Sequence, residues 1–567
     1  MKASDYLVKF FSQKGIDKVF GYTGGAITHI VDSLGKSDKV DFIQVYHEQT
    51  ASFAAEGYSR ASGKPGVAIA TSGPGATNMI TGIADAYFDS VATIFITGQV
   101  NTYEFKYDKP VRQQGFQETD IVEIVRPITK YATIVSQSED LPYELEKAYQ
   151  IAVSGRPGPV LLDIPMDVQR GEIKSAEKKS YQGKNKKPIF STREFEKALA
   201  KSFRPIILAG GGVINARAQE PLEAFFKKNN LPVVVSLMGK GAVDESSSNF
   251  LGMIGTYGNR LANMALQKAD LVLAIGSRLD TRQTGTNLAT FAEKGKIFHI
   301  DIDSNELRHH RLKKRKRICA DAKDVLQKLA VKNFKLELDE WRKNIKELKD
   351  KYSQDVDIDH NVINKLPYQL MAQINAAKIK NVIYCVDIGQ NQMFAAQSLK
   401  VLKNQVFMTS GGMAPMGYAI PCAIGASVAN LKRPVVAICG DGGFVFSLQA
   451  LMLLKQYKLP LKIIILNNYS LGMIVQFQDA YFEGKHFATI ADGGYMIPDF
   501  KGIAKSYGLS YSKFSKSSLK SNQFNKILRS AGPAIIEVQT KEKTTVVPKL
   551  LMNQPLDKMD PQILDNK

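Results

Sequence analysis

Three α/β domains in series, each a doubly wound parallel sheet with helices on both faces, are what this sequence predicts. Three observations predict them. The chain has 567 residues, which at about 150 residues per domain makes three or four units. Apolar, β-branched runs alternate with helical segments in three successive blocks, the pattern of parallel sheets whose crossovers are helices. Polar, lysine-rich stretches divide the blocks. Apolar residues at 44% and charged residues at 23% exclude a disordered chain and allow large cores.

The first block, from Asp5 to about Asp167, carries the strand signals VDFIQV (40–45), GVAIATSG (66–73), ATIFITGQ (92–99) and PVLLDIP (159–165). A lysine-rich stretch from Glu172 to Lys187 follows and reads as a linker. The second block, about 191–329, holds RPIILAGGG (204–212), LPVVVSL (231–237), ADLVLAIGS (269–277) and GKIFHIDID (295–303). Residues 332–359 are densely charged and read as an exposed helix and a second linker. The third block holds NVIYCVD (381–387), RPVVAICGD (433–441), LKIIILNN (461–468) and PAIIEVQ (533–539). The expected domains are therefore 1–170, 190–330 and 365–546.

Charge and cysteine content narrow the function classes. Basic residues number 75 against 55 acidic, a net +20, but they are scattered as on a solvated surface. The run from Lys313 to Arg317 has no aromatic interleaving and reads as a solvated loop rather than a nucleic-acid site. Cys319, Cys385, Cys422 and Cys439 form no close pair, so a disulfide framework is not expected. Charged residues interrupt the apolar N-terminal residues at helical spacing, unlike a signal peptide or membrane span. A cytoplasmic protein without membrane or nucleic-acid partners is the expectation.

The sharpest chemical signal is in the third block. Gly440-Asp441-Gly442 ends one strand, 24 residues intervene, and Asn467-Asn468 ends the next. In an open parallel sheet ligands gather at the carboxyl ends of strands, so one strand and one crossover helix bring Asp441 and Asn468 together. Two hard oxygen donors suit Mg²⁺, with a backbone carbonyl near Ser470, two phosphate oxygens and a water completing the shell. The glycines flanking Asp441, Gly440 and Gly442, let the backbone approach a diphosphate, and a helix starting after Gly443 aims its N-terminus at the anion.

This pairing resembles the motif of thiamin diphosphate enzymes. GGAITHIVDSL (24–34), residues 71–100, GFQETDIVEIVRPITKY (115–131), SGRPGPVLLDIP (154–165), SGGMAPMGYAIPCAIGA (410–426) and NNYSLGMIVQFQD (467–479) resemble the catalytic subunit of acetolactate (acetohydroxyacid) synthase. The resemblance covers roughly residues 1–545. It implies that pyruvate is decarboxylated and its two-carbon unit passed to a second carbonyl substrate. Glu48 would hydrogen-bond the aminopyrimidine ring, and Met416 would be the apolar wedge that bends the cofactor. Gln390, Asn391, Gly412, Met413 and Gly472 would contact diphosphate or pyrimidine. Gln117, with Phe116, would line the reaction pocket, and Gly25 would border the ring. In the middle block Gly210, Gly211 and Gly212, with Arg278, Arg282 and Asp301, would hold FAD as a structural flavin. Domains from two chains would build each active site, in a homodimer or homotetramer; a regulatory subunit is left open.

Several positions depart from that family's pattern: Phe477 stands for Trp, Asn391 and Phe394 for His and Trp, Ile254 for His, and Met166 for Lys. A smaller Phe477 enlarges the acceptor pocket and removes an N–H donor. Two acceptors stay open: a second pyruvate, giving acetolactate, or a nucleotide-linked keto-sugar. A pyruvate oxidase using the flavin as redox partner is the competing reaction class.

Overall fold

The computed structural model describes residues 1–174, 181, 183, 188–540 and 543–563. Three six-stranded, wholly parallel sheets follow one another, as the alternating pattern predicts. The first holds β1 (Lys18–Gly21), β2 (Asp41–Gln44), β3 (Gly66–Ala70), β4 (Thr93–Gln99), β5 (Tyr131–Ile134) and β6 (Pro159–Pro165). Its order is β2-β1-β3-β4-β6-β5. The second holds β7 (Pro205–Ala209), β8 (Val233–Val235), β9 (Phe250–Met253), β10 (Leu271–Ile275), β11 (Lys296–Asp301) and β12 (Lys316–Cys319), in the order β12-β11-β10-β7-β8-β9. This is the strand order of dinucleotide-binding folds. The third holds β13 (Ile383–Val386), β14 (Val406–Met408), β15 (Val435–Gly440), β16 (Leu461–Asn467), β17 (Ser510–Phe514) and β18 (Ala534–Gln539). It repeats the order of the first sheet, as β14-β13-β15-β16-β18-β17.

Central strands are apolar on both faces and fully buried, β3, β4, β6, β7, β10 and β16 throughout their length, because helices cover both sides of a parallel sheet. Cys385, Cys422 and Cys439 are buried in these layers, and all four cysteines are free. Most of the 172–187 linker lies outside the described residues.

Two expectations from charge are corrected. Residues 332–359 contain the Asp339–Tyr352 helix, which buries Trp341, Ile345 and Leu348. Their i, i+4, i+7 spacing lays one apolar stripe along an otherwise charged helix, and Trp341 Nε1 donates to Pro205 O at the start of β7, 3.0 Å away. The run 313–317 is not a free loop either. Its last two residues begin edge strand β12, and Arg315 turns inward to His299 Nδ1 at 3.0 Å and Leu307 O at 2.7 Å.

Beyond the third sheet the chain returns as a strap. Val547 and Pro548 are held by Tyr368 and Gln397. A short antiparallel pair, β19 (Lys549–Leu550) and β20 (Met559–Asp560), lies over the second domain, where Arg260 donates to Met559 O at 3.1 Å and Pro561 O at 2.7 Å. No helix among the described residues is long and apolar enough to cross a membrane.

Candidate functional site

In the third sheet β13 and β15 are neighbours whose chain connections leave in opposite directions, and ligands bind at such a crevice. Three helices begin there: Gln390–Ser398, Asp441–Val445 and Gly472–Tyr481. Their free backbone N–H groups make the crevice attractive to a diphosphate. Gly389 caps the first with φ 126°, a backbone state that glycine alone adopts without strain.

Asp441 is buried, and among the described residues no lysine or arginine forms a salt bridge with it. Its Oδ1 accepts from Gly442 N at 2.7 Å and Tyr495 OH at 3.1 Å, and its Oδ2 from Ser470 N at 3.2 Å. Burial pushes its carboxyl up to about 6. A divalent cation would offset that cost by favouring the ionised form. Asn468 spends its amide protons on Gln390 Oε1 at 3.2 Å and Thr544 Oγ1 at 2.9 Å. Its Oδ1 has no protein donor among the described residues. A carboxylate without a cationic partner and an amide oxygen without a donor fit a hard, oxygen-loving ion.

The structure brings Met416, Gly442, Gly443, Gln390 and Asn391 to the same place. A β-carbon at Gly443 would lie 2.7 Å from Asp387 Oδ1, and one at Gly442 would lie 3.0 Å from Met416 Cε. Gln390 is fixed by Gln476 and by Thr544 O. Asn391 is buried, and its Nδ2 donates to Asp387 O at 2.7 Å, which ties the end of β13. Gly412 donates its N–H to Asp89 Oδ1 at 2.8 Å, and the adjoining Met413 is exposed.

A second group gathers at the carboxyl end of the first sheet. Glu48 begins the Glu48–Ser62 helix, is buried, and accepts from Asn78 Nδ2 at 2.9 Å. A β-carbon at Gly75 would lie 3.1 Å from Glu48 Oε1, and one at Gly73 would lie 3.0 Å from Gln117 Cβ. Ala26, next to Gly25, donates its N–H to Thr71 Oγ1. Glu48, Gln117 and Gly25 therefore share one sheet edge, with Phe116 exposed beside them.

Within one chain these two groups stay apart. The Glu48–Ser62 helix runs antiparallel to the Ala419–Ala429 helix: β-carbons at Gly57 and Gly425 would strike Cys422 O and Ala54 O, and Glu56 accepts from Tyr418 OH at 3.0 Å. The Ala419 end adjoins the third-sheet crevice, because Ala419 N–H donates to Asp387 at 2.9 Å. Glu48 thus lies toward the far end. Gln44 N–H, four residues before Glu48, donates to Tyr457 OH at 2.8 Å, and Tyr457 precedes β16, whereas Asn468 follows it. Seven residues of strand span about 23 Å.

In the second sheet β7 and β10 form the corresponding crevice. Gly212 N–H donates to Gly276 O at 2.8 Å, and a β-carbon at Gly210 would lie 2.2 Å from that same oxygen. Gly211, Gly212, Arg278, Arg282 and Asp301 line a cavity of about 460 Å³. Burial pushes the Asp301 carboxyl up to about 6. Close glycine backbones, two guanidinium groups and an acidic strand end suit a dinucleotide.

Sequence reasoning missed Asn78, Tyr495 and Thr544, which hold Glu48, Asp441 and Asn468. Asn78 ends the Pro74–Asn78 helix and Tyr495 and Thr544 sit in loops, 30, 54 and 76 residues away from their partners, and no local pattern marks such a contact.

Unpartnered oxygen donors and helix N-termini on one sheet, with a buried acid on a sheet of the same topology, fit a thiamine pyrophosphate enzyme. Residues 1–124, 193–329 and 387–538 match the N-terminal TPP binding, central and C-terminal TPP binding domains of thiamine pyrophosphate enzymes. The chain is 39% identical to a probable acetolactate synthase large subunit of Methanocaldococcus jannaschii, over 90% of this chain and 87% of that one. It is 36% identical to the acetolactate synthase isozyme 2 large subunit of Escherichia coli over 97% of both chains. With the chloroplastic acetolactate synthase of Arabidopsis thaliana it shares 35%, over 97% of this chain and 83% of that one. The chain belongs to the acetolactate synthase large-subunit family.

Proposed function

We propose that this protein decarboxylates pyruvate and joins the two-carbon unit to a second 2-keto acid, with acetolactate as the product when that acceptor is pyruvate. Thiamin diphosphate supplies the carbanion chemistry when bound, and Mg²⁺ anchors it. Asp441 and Asn468 hold the ion with the main chain near Ser470. Gln390, Gly442, Gly443 and Gly472 would hold the diphosphate and Met416 would support the reacting ring, with Asn391, Gly412 and Met413 as further contacts. Glu48 holds the proton at the aminopyrimidine nitrogen, while Gly25 and Gln117 border the pocket. FAD occupies the second-domain cavity in a structural role, since joining two keto acids with loss of CO₂ transfers no net electrons. The working domains are 1–170, 190–330 and 365–546.

The observation that carries this reading is a buried Asp441 carboxylate without a cationic partner at the end of β15 and a donor-free Asn468 oxygen at the end of the neighbouring β16. Similarity to acetolactate synthases favours a keto acid over a nucleotide-linked keto-sugar as acceptor. The separation of Glu48 from Asp441 in one chain supports a homodimer in which each site draws on both copies. Relatives designated large subunits support a smaller companion chain, and free cysteines suit a cytoplasmic location. The test is mass spectrometry of products from the protein, thiamin diphosphate, Mg²⁺, FAD and labelled pyruvate, with and without a nucleotide-linked keto-sugar. Acetolactate from pyruvate alone is expected. Preferential formation of a branched sugar, or no CO₂ release at all, overturns the reading.

A further inference from the structure

We propose that the C-terminal strap is a working part of the cofactor site and that Thr544 is a positioning residue for metal binding. The proposal rests on the reading of Asp441 and Asn468 as metal ligands. Thr544 Oγ1 accepts from Asn468 Nδ2 at 2.9 Å and donates to Gln390 Oε1 at 2.6 Å. Asn468 Nδ2 also reaches Gln390 Oε1 at 3.2 Å, so the three side chains close a triangle. A hydroxyl can accept and donate at once, and its donation to Gln390 requires that Asn468 approach with its NH₂ group. That fixes which end of the Asn468 amide faces the strap. The oxygen is left for the ion.

The strap is itself held at this point. Gln476 accepts from Val546 N at 2.9 Å and donates to Val546 O at 3.0 Å, and Gln390 Nε2 donates to Thr544 O at 2.9 Å. Two glutamines from the helices that open on the crevice therefore set the height of the Thr544 hydroxyl. Without that hydroxyl only the longer 3.2 Å bond to Gln390 Oε1 still distinguishes the nitrogen of the Asn468 amide from its oxygen, and a half-turn that presents NH₂ to the cation costs less. Groups that orient metal ligands in this way are worth about 10–100-fold in metal affinity.

The test is calorimetric titration of Mg²⁺ into full-length apo-enzyme saturated with thiamin diphosphate, for wild type, Thr544→Val, Thr544→Ser and Asp441→Ala. Thr544→Val is expected to weaken Mg²⁺ roughly 10-fold, and Thr544→Ser to stay within about twofold of wild type, both with unchanged melting of the apo-protein. Thr544→Ala carries the same expectation as valine and answers the question should valine not fold. Wild-type affinity in the valine and alanine variants, with Asp441→Ala defective, overturns the role of the strap alone. Equal loss in serine and valine also overturns it, because the hydroxyl is then not what matters. Wild-type affinity in Asp441→Ala overturns the metal-site reading beneath it.

Discussion

A β-carbon at Gly472 would sit 2.3 Å from Gln390 Oε1 and 2.5 Å from Asn468 Nδ2, both held by further hydrogen bonds to the strap. Neither can retreat without giving up those partners. Gly472→Ala is therefore expected to weaken Mg²⁺-dependent retention of thiamin diphosphate at least about 10-fold, measured by calorimetry, and unchanged retention would remove the crowding argument. Glu48→Gln keeps the shape and loses the proton-holding carboxylate. It should bind the cofactor normally while pyruvate turnover falls about 10²–10⁴-fold, read from CO₂ release; near-wild-type turnover would take the role away from Glu48. The places of Asp441 and Asn468 were legible in the sequence because each follows its own strand directly, so local pattern fixes its position. Tyr495 and Thr544 were not, since loops carry their hydroxyls to the site and hydroxyl residues in loops are common.

Elements whose faces are both buried declared themselves as continuous apolar runs, as β4, β6 and β16 do. Half-exposed β5 and β12 did not, because an edge strand needs only a few apolar contacts. The buried face of the Asp339–Tyr352 helix hid for another reason: charge dominated its composition while Trp341, Ile345 and Leu348 alone faced the core. Trp341 is the single tryptophan of the chain, so its fluorescence reports the unfolding of this layer. Ile345→Ala should lower the stability of that transition by about 2–5 kcal/mol, seen as an earlier urea midpoint; a midpoint within error of wild type would mean the helix is dispensable to the core. In β11, His299 accepts from Arg315 Nε at Nδ1 and faces Ser277 O through Nε2 at 2.8 Å, the arrangement of a neutral ring. Burial pushes its pKa down to about 3. An unfolded histidine near 6.5 takes up a proton first as pH falls, so the native state loses stability from about pH 6.5 downward, by at most ~1.4 kcal/mol per pH unit. His299→Gln can make both bonds without titrating. The difference in stability between wild type and variant should therefore change by about 2 kcal/mol from pH 7 to pH 5, and a pH-independent difference would place a charged imidazole in the core.

Across the whole molecule, the first and third sheets share one strand order and, on the proposed reading, divide the chemistry between them, Glu48 on one and Asp441 with Asn468 on the other. Inside one chain the contact of Gln44 with Tyr457 and the antiparallel packing of the two interdomain helices hold these groups at opposite ends of the third sheet. On the proposed reading a complete site takes the first domain of one copy and the third domain of another, related by a two-fold axis so that two such sites form together. Sequence spacing could not reveal this, because both groups are present in every chain and only their separation in the folded protomer excludes a site within it. The arrangement has a measurable consequence. Glu48→Gln and Asp441→Ala each disable both sites of their own homodimer. In a hybrid dimer of the two variants, one site receives both lesions and the other receives an intact Glu48 from one chain and an intact Asp441 from its partner. Hybrids isolated with two different affinity tags should therefore regain about half the wild-type acetolactate-forming activity per dimer, while each parental homodimer stays inactive. If each chain carried its own complete site, the hybrid would be as inactive as its parents, and the two-copy site would fall.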